Sequence, residues 1–535
     1  MKCGNINVCN KRTAQLVVVL TILLVLFGSG CRVPTPELTP EDRKRDIQFM
    51  ADWARDYSPF VELAQKHKGT PDYEALLPKY LEYAEQAESN EEFIRVLGGY
   101  YDLICPVGHR GLLTEDRLRV VRLGALLGLE DFGVNPFTIQ QALYWPRLAN
   151  GLSIHAHPPF GVTCEDDNYF TEDDWETDGI IVPRGSQIVK VNGMNCPTYL
   201  DYIADNTWLR YVPNPKDWAK KYLLIIDEGR DFKGWQVDFL LPDKSSHNAF
   251  VPKIKGSPAP KEEGIQTVEA KDNCTCIELT DEVAYIRIKS MLPNWTVWGM
   301  IFPSIYRKDG KIIRAFLDDA NGKYRKLIID VRNNPGGLTY YVYENLIRPF
   351  LNESVTYDEV AGLRRKYRDN LTKSELKTLR SLISEKKDHV VNIEEIDVPE
   401  GFDANDWVFY RITRRIEPSN QHNFNGSVYV LINGLSGSAA DLYANIVKRN
   451  GLAKLVGRHT YGSSATYTGP PLMRLPASGM ILRVETELFI NPDGSVNALF
   501  GTVPDIPLEP ADPPRSITKE ELLKDKWIEH IIDEL

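Results

Sequence analysis

Several things are scarce in this 535-residue sequence, and each scarcity removes a class of function. There is no basic excess: the net charge is −11, which disfavours nucleic acid and anionic lipid as partners. The apolar core near the N-terminus, Leu16 to Phe27, is too short for a confident membrane span. Cys274-x-Cys276 has the wrong spacing for a zinc knuckle and no partner pair, and His155 and His157 lack a third ligand, so no metal site is expected. Nothing implies a cofactor. Beyond the N-terminal region the cysteines are Cys105, Cys164, Cys196, Cys274 and Cys276, an odd set that leaves at least one thiol free. Internal repeats and low-complexity tracts are also missing. What remains is ordinary globular composition, 43% hydrophobic and 26% charged, in a chain too long for one core.

The N-terminus reads as a secretory signal over residues 1–30, with basic residues before the apolar core and small residues after it. Gly28-Ser29-Gly30-Cys31 resembles a bacterial lipoprotein box. That resemblance implies a lipidated Cys31, a short tether over 31–38, and a protein anchored to a membrane of the bacterial cell envelope, periplasmic or surface-facing. Residues 39–151 are expected to be a helical bundle. Thr39-Pro40-Glu41-Asp42 places a cap before a proline at N1, and Ser89-x-x-Glu92 opens a second helix. Residues 152–255 have a β rhythm that includes Gly185-Ser186-Gln187-Ile188-Val189-Lys190-Val191-Asn192-Gly193, similar to a turn of PDZ domains, which bind peptide ends by strand addition. A linker over 256–275 precedes an α/β core over 276–515, and 516–535 is a final helix. Within the core, 352–400 reads as a polar insertion or lid, and Met480 to Ile490 as one alternating strand.

The core carries two chemically suggestive stretches. In residues 427–451 an apolar strand breaks at Asn433-Gly434-Leu435-Ser436-Gly437. A helix with the apolar stripe Ala439, Leu442, Tyr443, Ile446, Val447 follows. Ser438 therefore sits at a sharp strand-to-helix turn, beside unpaired N–H groups and the positive end of the helix dipole. A nucleophilic serine needs that placement, because flanking N–H groups stabilise an oxyanion. Ser438-x-x-Asp441 is equally a capping box, and these residues alone leave both readings open. The second stretch is a strand, Lys326 to Asp330, ending in Asn333-Asn334-Pro335-Gly336-Gly337. Paired glycines at the C-terminal end of a parallel strand let bare backbone N–H groups face a ligand.

Together LIIDVRNNPGG, VLINGLSGSAADL, GLAKLVGRHTYGSS and TVPDIPLEP resemble the C-terminal processing (tail-specific) serine peptidases, over residues 280–510. The resemblance implies a multidomain α/β protein with a mostly parallel, crotonase-like or ClpP-like core, and a peptide or protein substrate. It places the nucleophile at Ser438 and the oxyanion pocket at Gly336 or Gly337 with Ala439. It adds a supporting charged cluster of Asp330, Arg332 and Asp441, in which a guanidinium fork between two carboxylates braces the elbow. One departure matters. Many members carry a catalytic lysine where this chain has Ser463, in Tyr461-Gly462-Ser463, and a serine without a base is inert. The tricorn-like branch uses a histidine instead, and Gly108-His109-Arg110 matches the Gly-His core of its motif. His109 is then the expected base, with Glu485 or Glu487 polarising it and Ser463 a helper or relic; His459 is a surface residue or else a fallback base. The alternative is a catalytically silent lipoprotein that binds a peptide or hydrophobic ligand on the same scaffold.

Overall fold

A computed structural model describes residues 33 and 35–534, apart from 128–138, 153–155, 166, 178–179, 222, 225–231, 256–272, 293–303, 372–389, 392–394, 400–401, 420–423, 463–471, 510–512 and 515–516. The expectations for the signal, Cys31, most of the linker and Ser463 therefore fall outside the described residues. No helix among the described residues is long and apolar enough to cross a membrane.

Four helices come first: Pro40–Tyr57, Val61–Lys68, Tyr73–Gln86 and Asn90–Ile104. Thr39 and Asp42 exchange caps, each side chain accepting the other residue's N–H at 3.1 Å, and Ser89 accepts from Glu92 N at 3.1 Å. These helices bury Phe93, Val96, Leu97 and Tyr100, but their core is not self-contained. Met473, Leu475, Met480, Leu482 and Val484 from far along the chain complete it. Buried Asp46 accepts the N–H groups of Ala477 and Ser478 at 2.8 and 2.9 Å, tying the first helix to that distant segment.

Next comes an antiparallel sheet in the order Ser246–Pro252, Gly234–Leu240, Gln187–Val191, Asn168–Thr171, Val162–Glu165. Asn192 and Gly193 both take positive φ, 50° and 79°, and turn Gln187–Val191 into the short strand Met194–Asn195. This is the two-residue hairpin that an Asn-Gly pair favours, since both central positions must be left-handed.

The central sheet runs in sequence order: Cys274–Glu278, Val283–Ile288, Lys326–Asp330, Ser427–Ile432, Lys454–Gly457, Ile506–Pro507. Only the first pairing is antiparallel. Every residue of Val283–Ile288 is buried, as a parallel strand covered on both faces must be. Lys326–Asp330 and Ser427–Ile432 are adjacent and in register, Asp330 opposite Leu431, so the two suggestive loops leave the sheet side by side.

Two sequence expectations need correction here. Residues 355–364, taken as part of a polar excursion, form a ten-residue, mostly buried strand, Val355–Arg364. It pairs along its whole length with Trp407–Ile416 and also with Glu487–Ile490. The stretch read as one strand from Met480 to Ile490 is two strands in different sheets: Ile481–Arg483 pairs with Gly111–Leu112, and Glu487–Ile490 joins Val355–Arg364. Glu485 lies at the switch between them.

The charged cluster is also rearranged. Arg332, fully buried, forks onto Asp330 (2.7 Å) and onto Asp525 (2.8 Å) rather than onto Asp441. Asp525 accepts the N–H groups of Trp527 and Ile528, capping the C-terminal helix Lys526–Glu534, and Trp527 stacks on the Arg332 guanidinium at 5.2 Å. The last helix is thereby fastened to the strand that presents the glycine loop. Removing one partner of a buried pair leaves an uncompensated charge. Asp525→Ala is therefore expected to lower stability by about 3–5 kcal/mol, read from the urea midpoint; an unchanged midpoint contradicts this role.

Candidate active site

Ser438 precedes the helix Ala439–Arg449 with φ 55° and ψ −122°, and its side chain makes no capping hydrogen bond. The capping-box reading is therefore not realised. A non-glycine residue in this conformation costs roughly 1–3 kcal/mol and persists only where its surroundings over-determine it. Here they do. Ser438 N–H donates to the Gly462 carbonyl (3.2 Å), and Gly437 N–H donates to the Asn334 carbonyl (2.9 Å). Ser436 Oγ donates to Val331 O (2.8 Å), and Asn433 and Asn333 bond reciprocally at 2.9 and 2.6 Å. The serine turn and the glycine loop are thus one laced unit. Gly336 has φ 90°, and a Cβ there would lie 2.5 Å from Ser438 Cβ and 2.6 Å from Ala439 N, so no other residue fits beside the elbow.

Of the two glycines expected to face an oxyanion, the structure separates the roles. Gly336 N–H is taken by Asn334 Oδ1 at 2.8 Å. Gly337 and Ala439 both line the cavity that opens at Ser438.

His109 reaches this point from the far N-terminal side. It sits in a turn after the helix Asn90–Ile104 and before Gly111–Leu112, the strand paired with Ile481–Arg483. Arg110 anchors the turn to Asp102 (2.6 Å) and to the Cys105 carbonyl (3.0 Å), while the Tyr101 hydroxyl accepts from Gly111 N–H and donates to the Arg483 carbonyl. His109 Nε2 lies 2.7 Å from Ser438 Oγ, and Nδ1 lies 2.9 Å from Glu485 Oε1. The same Glu485 oxygen accepts His109 N–H at 2.6 Å. A carboxylate only accepts, so Nδ1 carries the proton toward Glu485 and Nε2 is left to accept from the serine hydroxyl. Glu485 has a side chain only 3% exposed, and its Oε2 has no hydrogen-bond partner among the described residues. Gly108, with φ 84°, makes the contact possible: a Cβ there would stand 2.7 Å from Glu485 Cγ.

The other expected residues fall out as follows. Glu487 lies in the ladder opposite Leu363 rather than at the histidine. His459 is exposed and turns Nδ1 to the Thr460 carbonyl at 2.9 Å. Asp441 does line the cavity, but its partners are Thr460 Oγ1 (2.5 Å), Thr502 Oγ1 (2.8 Å) and Asn497 Nδ2 (3.0 Å). Burial pushes its carboxyl up to about 6, and those hydrogen bonds only partly offset the shift. Burial also acts on Asp330, yet the guanidiniums of Arg287 and Arg332 win there and hold it at about 2. The cavity measures about 250 Å³, and sequence reasoning missed most of its wall: Tyr357, Glu359 and Arg414 come from the overlooked strand pair, and Asn445, Asn491 and Asn497 carried no motif.

With that geometry in view, the comparisons with known proteins are informative. Residues 282–508 match the family described as Peptidase family S41. No curated protein sequence matches the chain. Among solved structures, mature CPAF complexed with lactacystin is 15% identical, covers 92% of this chain and 98% of its own, and superposes with a TM-score of 0.52. A CPAF mutant is 14% identical, with 92% and 97% covered and a TM-score of 0.54. At such identities these two establish likeness of fold.

Asp330 yields a pH test. Its folded value is depressed below the ordinary 3.8. Its stabilisation is therefore present above about 4 and lost as pH falls toward about 2. Asp330→Asn should lower the denaturation midpoint markedly at pH 7, and the gap to wild type should narrow through that acid window. A gap independent of pH contradicts the assignment.

Proposed function

We propose that the chain is a serine endopeptidase of the tail-specific type that works with a histidine base in place of the usual lysine. The observation that carries the reading is the hydrogen-bonded series Glu485–His109–Ser438, 2.9 and 2.7 Å, ending on a serine held at a positive-φ elbow. A nucleophile, a base within reach and a third group orienting the base are the parts that activate a hydroxyl.

In this reading His109 Nε2 takes the Ser438 proton as Oγ attacks the scissile carbonyl. Glu485 stabilises the imidazolium and fixes its tautomer without itself becoming protonated. The carbonyl oxygen, now anionic, is received by the N–H groups of Gly337 and Ala439 at the start of the helix. Collapse of the tetrahedral intermediate transfers the proton from His109 to the leaving amine. Water then repeats the sequence in reverse to release the acyl group from Ser438. The absence of lysine at Ser463 ceases to be an obstacle, because the base arrives from residue 109.

The remaining assignments belong to the same proposal. Cys31 is the lipidated N-terminus of an envelope lipoprotein facing the periplasm or the cell surface. The sheet at 162–252, with its Asn-Gly hairpin, is a PDZ-like module that presents an edge to extended peptide. The substrate is a peptide or protein.

A fluorophosphonate probe tests the chemistry. Wild type should label and Ser438→Ala should not. Glu485→Gln should label about 10²–10⁴-fold more slowly, the range over which general-base catalysis acts. A folded sample that takes no label contradicts the peptidase reading and leaves a binding protein on this scaffold.

A further inference from the structure

The strand Ile481–Arg483 does more than lead the chain to Glu485. Side chains along an extended segment alternate between its faces, and Leu482 and Val484 enter the core of the N-terminal helices. The opposite face therefore carries Ile481, Arg483 and Glu485. Ile481 joins Leu118 and Val121 of the helix Glu115–Leu127 in one apolar cluster, while Glu485 meets His109. Arg483 stands between these two contacts and lines the cavity at Ser438. Opposite it in the strand pair is Gly111, and a Cβ built there would find nothing within 4 Å. The space beside the Arg483 stem on that side is open.

The charge at this corner is positive. Burial pushes the Arg483 guanidinium below its ordinary value; Glu485 offsets part of that shift, and Arg117, in the first turn of the helix Glu115–Leu127, adds to it as a like charge. Burial lowers Arg117 as well. A guanidinium keeps its proton even so. Two like charges thus share a partly desolvated corner beside His109, in a chain whose net charge is −11. The acids on the same elements are directed elsewhere: Glu485 Oε1 accepts from His109, and Glu115 pairs with Arg119 at 2.5 Å and Arg147 at 2.7 Å. On the rest of the wall Glu359 and Arg414 supply one charge of each sign, and Asp441 is answered by donors from Thr460, Thr502 and Asn497. A cleft with low-dielectric walls focuses the remaining cationic field on whatever enters.

The position of that field relative to the chemistry follows from the histidine. The leaving amine must lie by His109, which protonates it. Arg483 is two residues from Glu485, on a strand whose partner, Gly111–Leu112, begins two residues after His109. It therefore faces the leaving-group half of the substrate. A guanidinium fork matches a carboxylate with two parallel hydrogen bonds, a geometry that no neutral side chain reproduces. We propose that Arg483 is a specificity determinant that reads the residue following the cleaved bond, and that this residue is acidic, aspartate or glutamate. The inference rests on the peptidase reading above and names the substrate feature that the reading lacks.

The test is digestion of a mixed peptide library, with the cleaved bonds identified by mass spectrometry. Matched peptides that differ only in glutamate against glutamine, or aspartate against asparagine, after the cleaved bond then give kcat/KM. All peptides are amidated at the C-terminus and extend well past the cleaved bond, so that no chain-end carboxylate is present. Wild type should favour the acidic member of each pair by about tenfold or more, and Arg483→Met should bring the ratio to about one. Should Arg483→Met fail to fold, Arg483→Lys keeps the charge without the fork and should reduce the ratio severalfold. Fluorophosphonate labelling of wild-type Ser438 is run on the same preparation. Labelled wild-type enzyme that cleaves acid and amide equally overturns the assignment and leaves the peptidase reading standing. The same holds if the folded variants retain the wild-type ratio, or if only peptides with a free C-terminal carboxylate are cleaved. A folded protein that neither labels nor cleaves removes the peptidase reading, and this inference with it.

Discussion

Two backbone pairings, Gly111 with Arg483 and Leu112 with Leu482, set the position of the imidazole on which the site depends. They bring the turn that carries His109 alongside the segment that carries Glu485, across a separation of 376 residues. From there the imidazole meets the serine, which arrives independently from the end of a parallel strand. Neither the N-terminal helices nor the central sheet holds a complete site alone. The helices bury their apolar faces on Met473, Met480 and Leu482, so the packing that stabilises them is the same packing that delivers the histidine. Stability and chemistry share one interface.

The serine side is governed by a different constraint. An elbow at φ 55° is a conformation that an L-residue leaves if it can, and here it is pinned by backbone bonds to both flanking loops. Behind it lies a buried ionic series, Arg287–Asp330–Arg332–Asp525, in which each charge has an opposite neighbour. Such a series adds little net stability compared with an apolar core, but it tolerates few alternative arrangements, which suits a loop whose glycines must stay in place. Rigidity on both sides means that the 2.7 Å contact between Nε2 and Oγ needs no closure to form.

Much of this was legible in the sequence. The apolar run ending at Ile432, the small residues to Gly437 and the helical stripe from Ala439 located Ser438 at a strand-to-helix turn, and the Asn-Asn-Pro-Gly-Gly loop marked its neighbour. Local periodicity sufficed because both features are local. The antiparallel pair Val355–Arg364 and Trp407–Ile416 was not legible. Asp358, Glu359, Arg411 and Arg414 give these strands the look of surface, and their pairing partners lie about fifty residues apart. Of these, Glu359 and Arg414 line the cavity, which explains why they break the usual alternation. Glu485 could be narrowed only to one of two glutamates, because the break between the sheets that singles it out is a tertiary event. Asp525 was missed as the partner of Arg332 for the same reason: nothing in the spacing of two residues so far apart reports a contact.

The most direct measurement of the central claim is a crystal structure of the protein after inactivation by a fluorophosphonate. The account predicts phosphorus bonded to Ser438 Oγ, its oxygen about 3 Å from the N–H groups of Gly337 and Ala439, and the His109 imidazole still hydrogen-bonded to Glu485. A phosphonyl oxygen directed away from both N–H groups, or an imidazole swung clear of the serine, would contradict it.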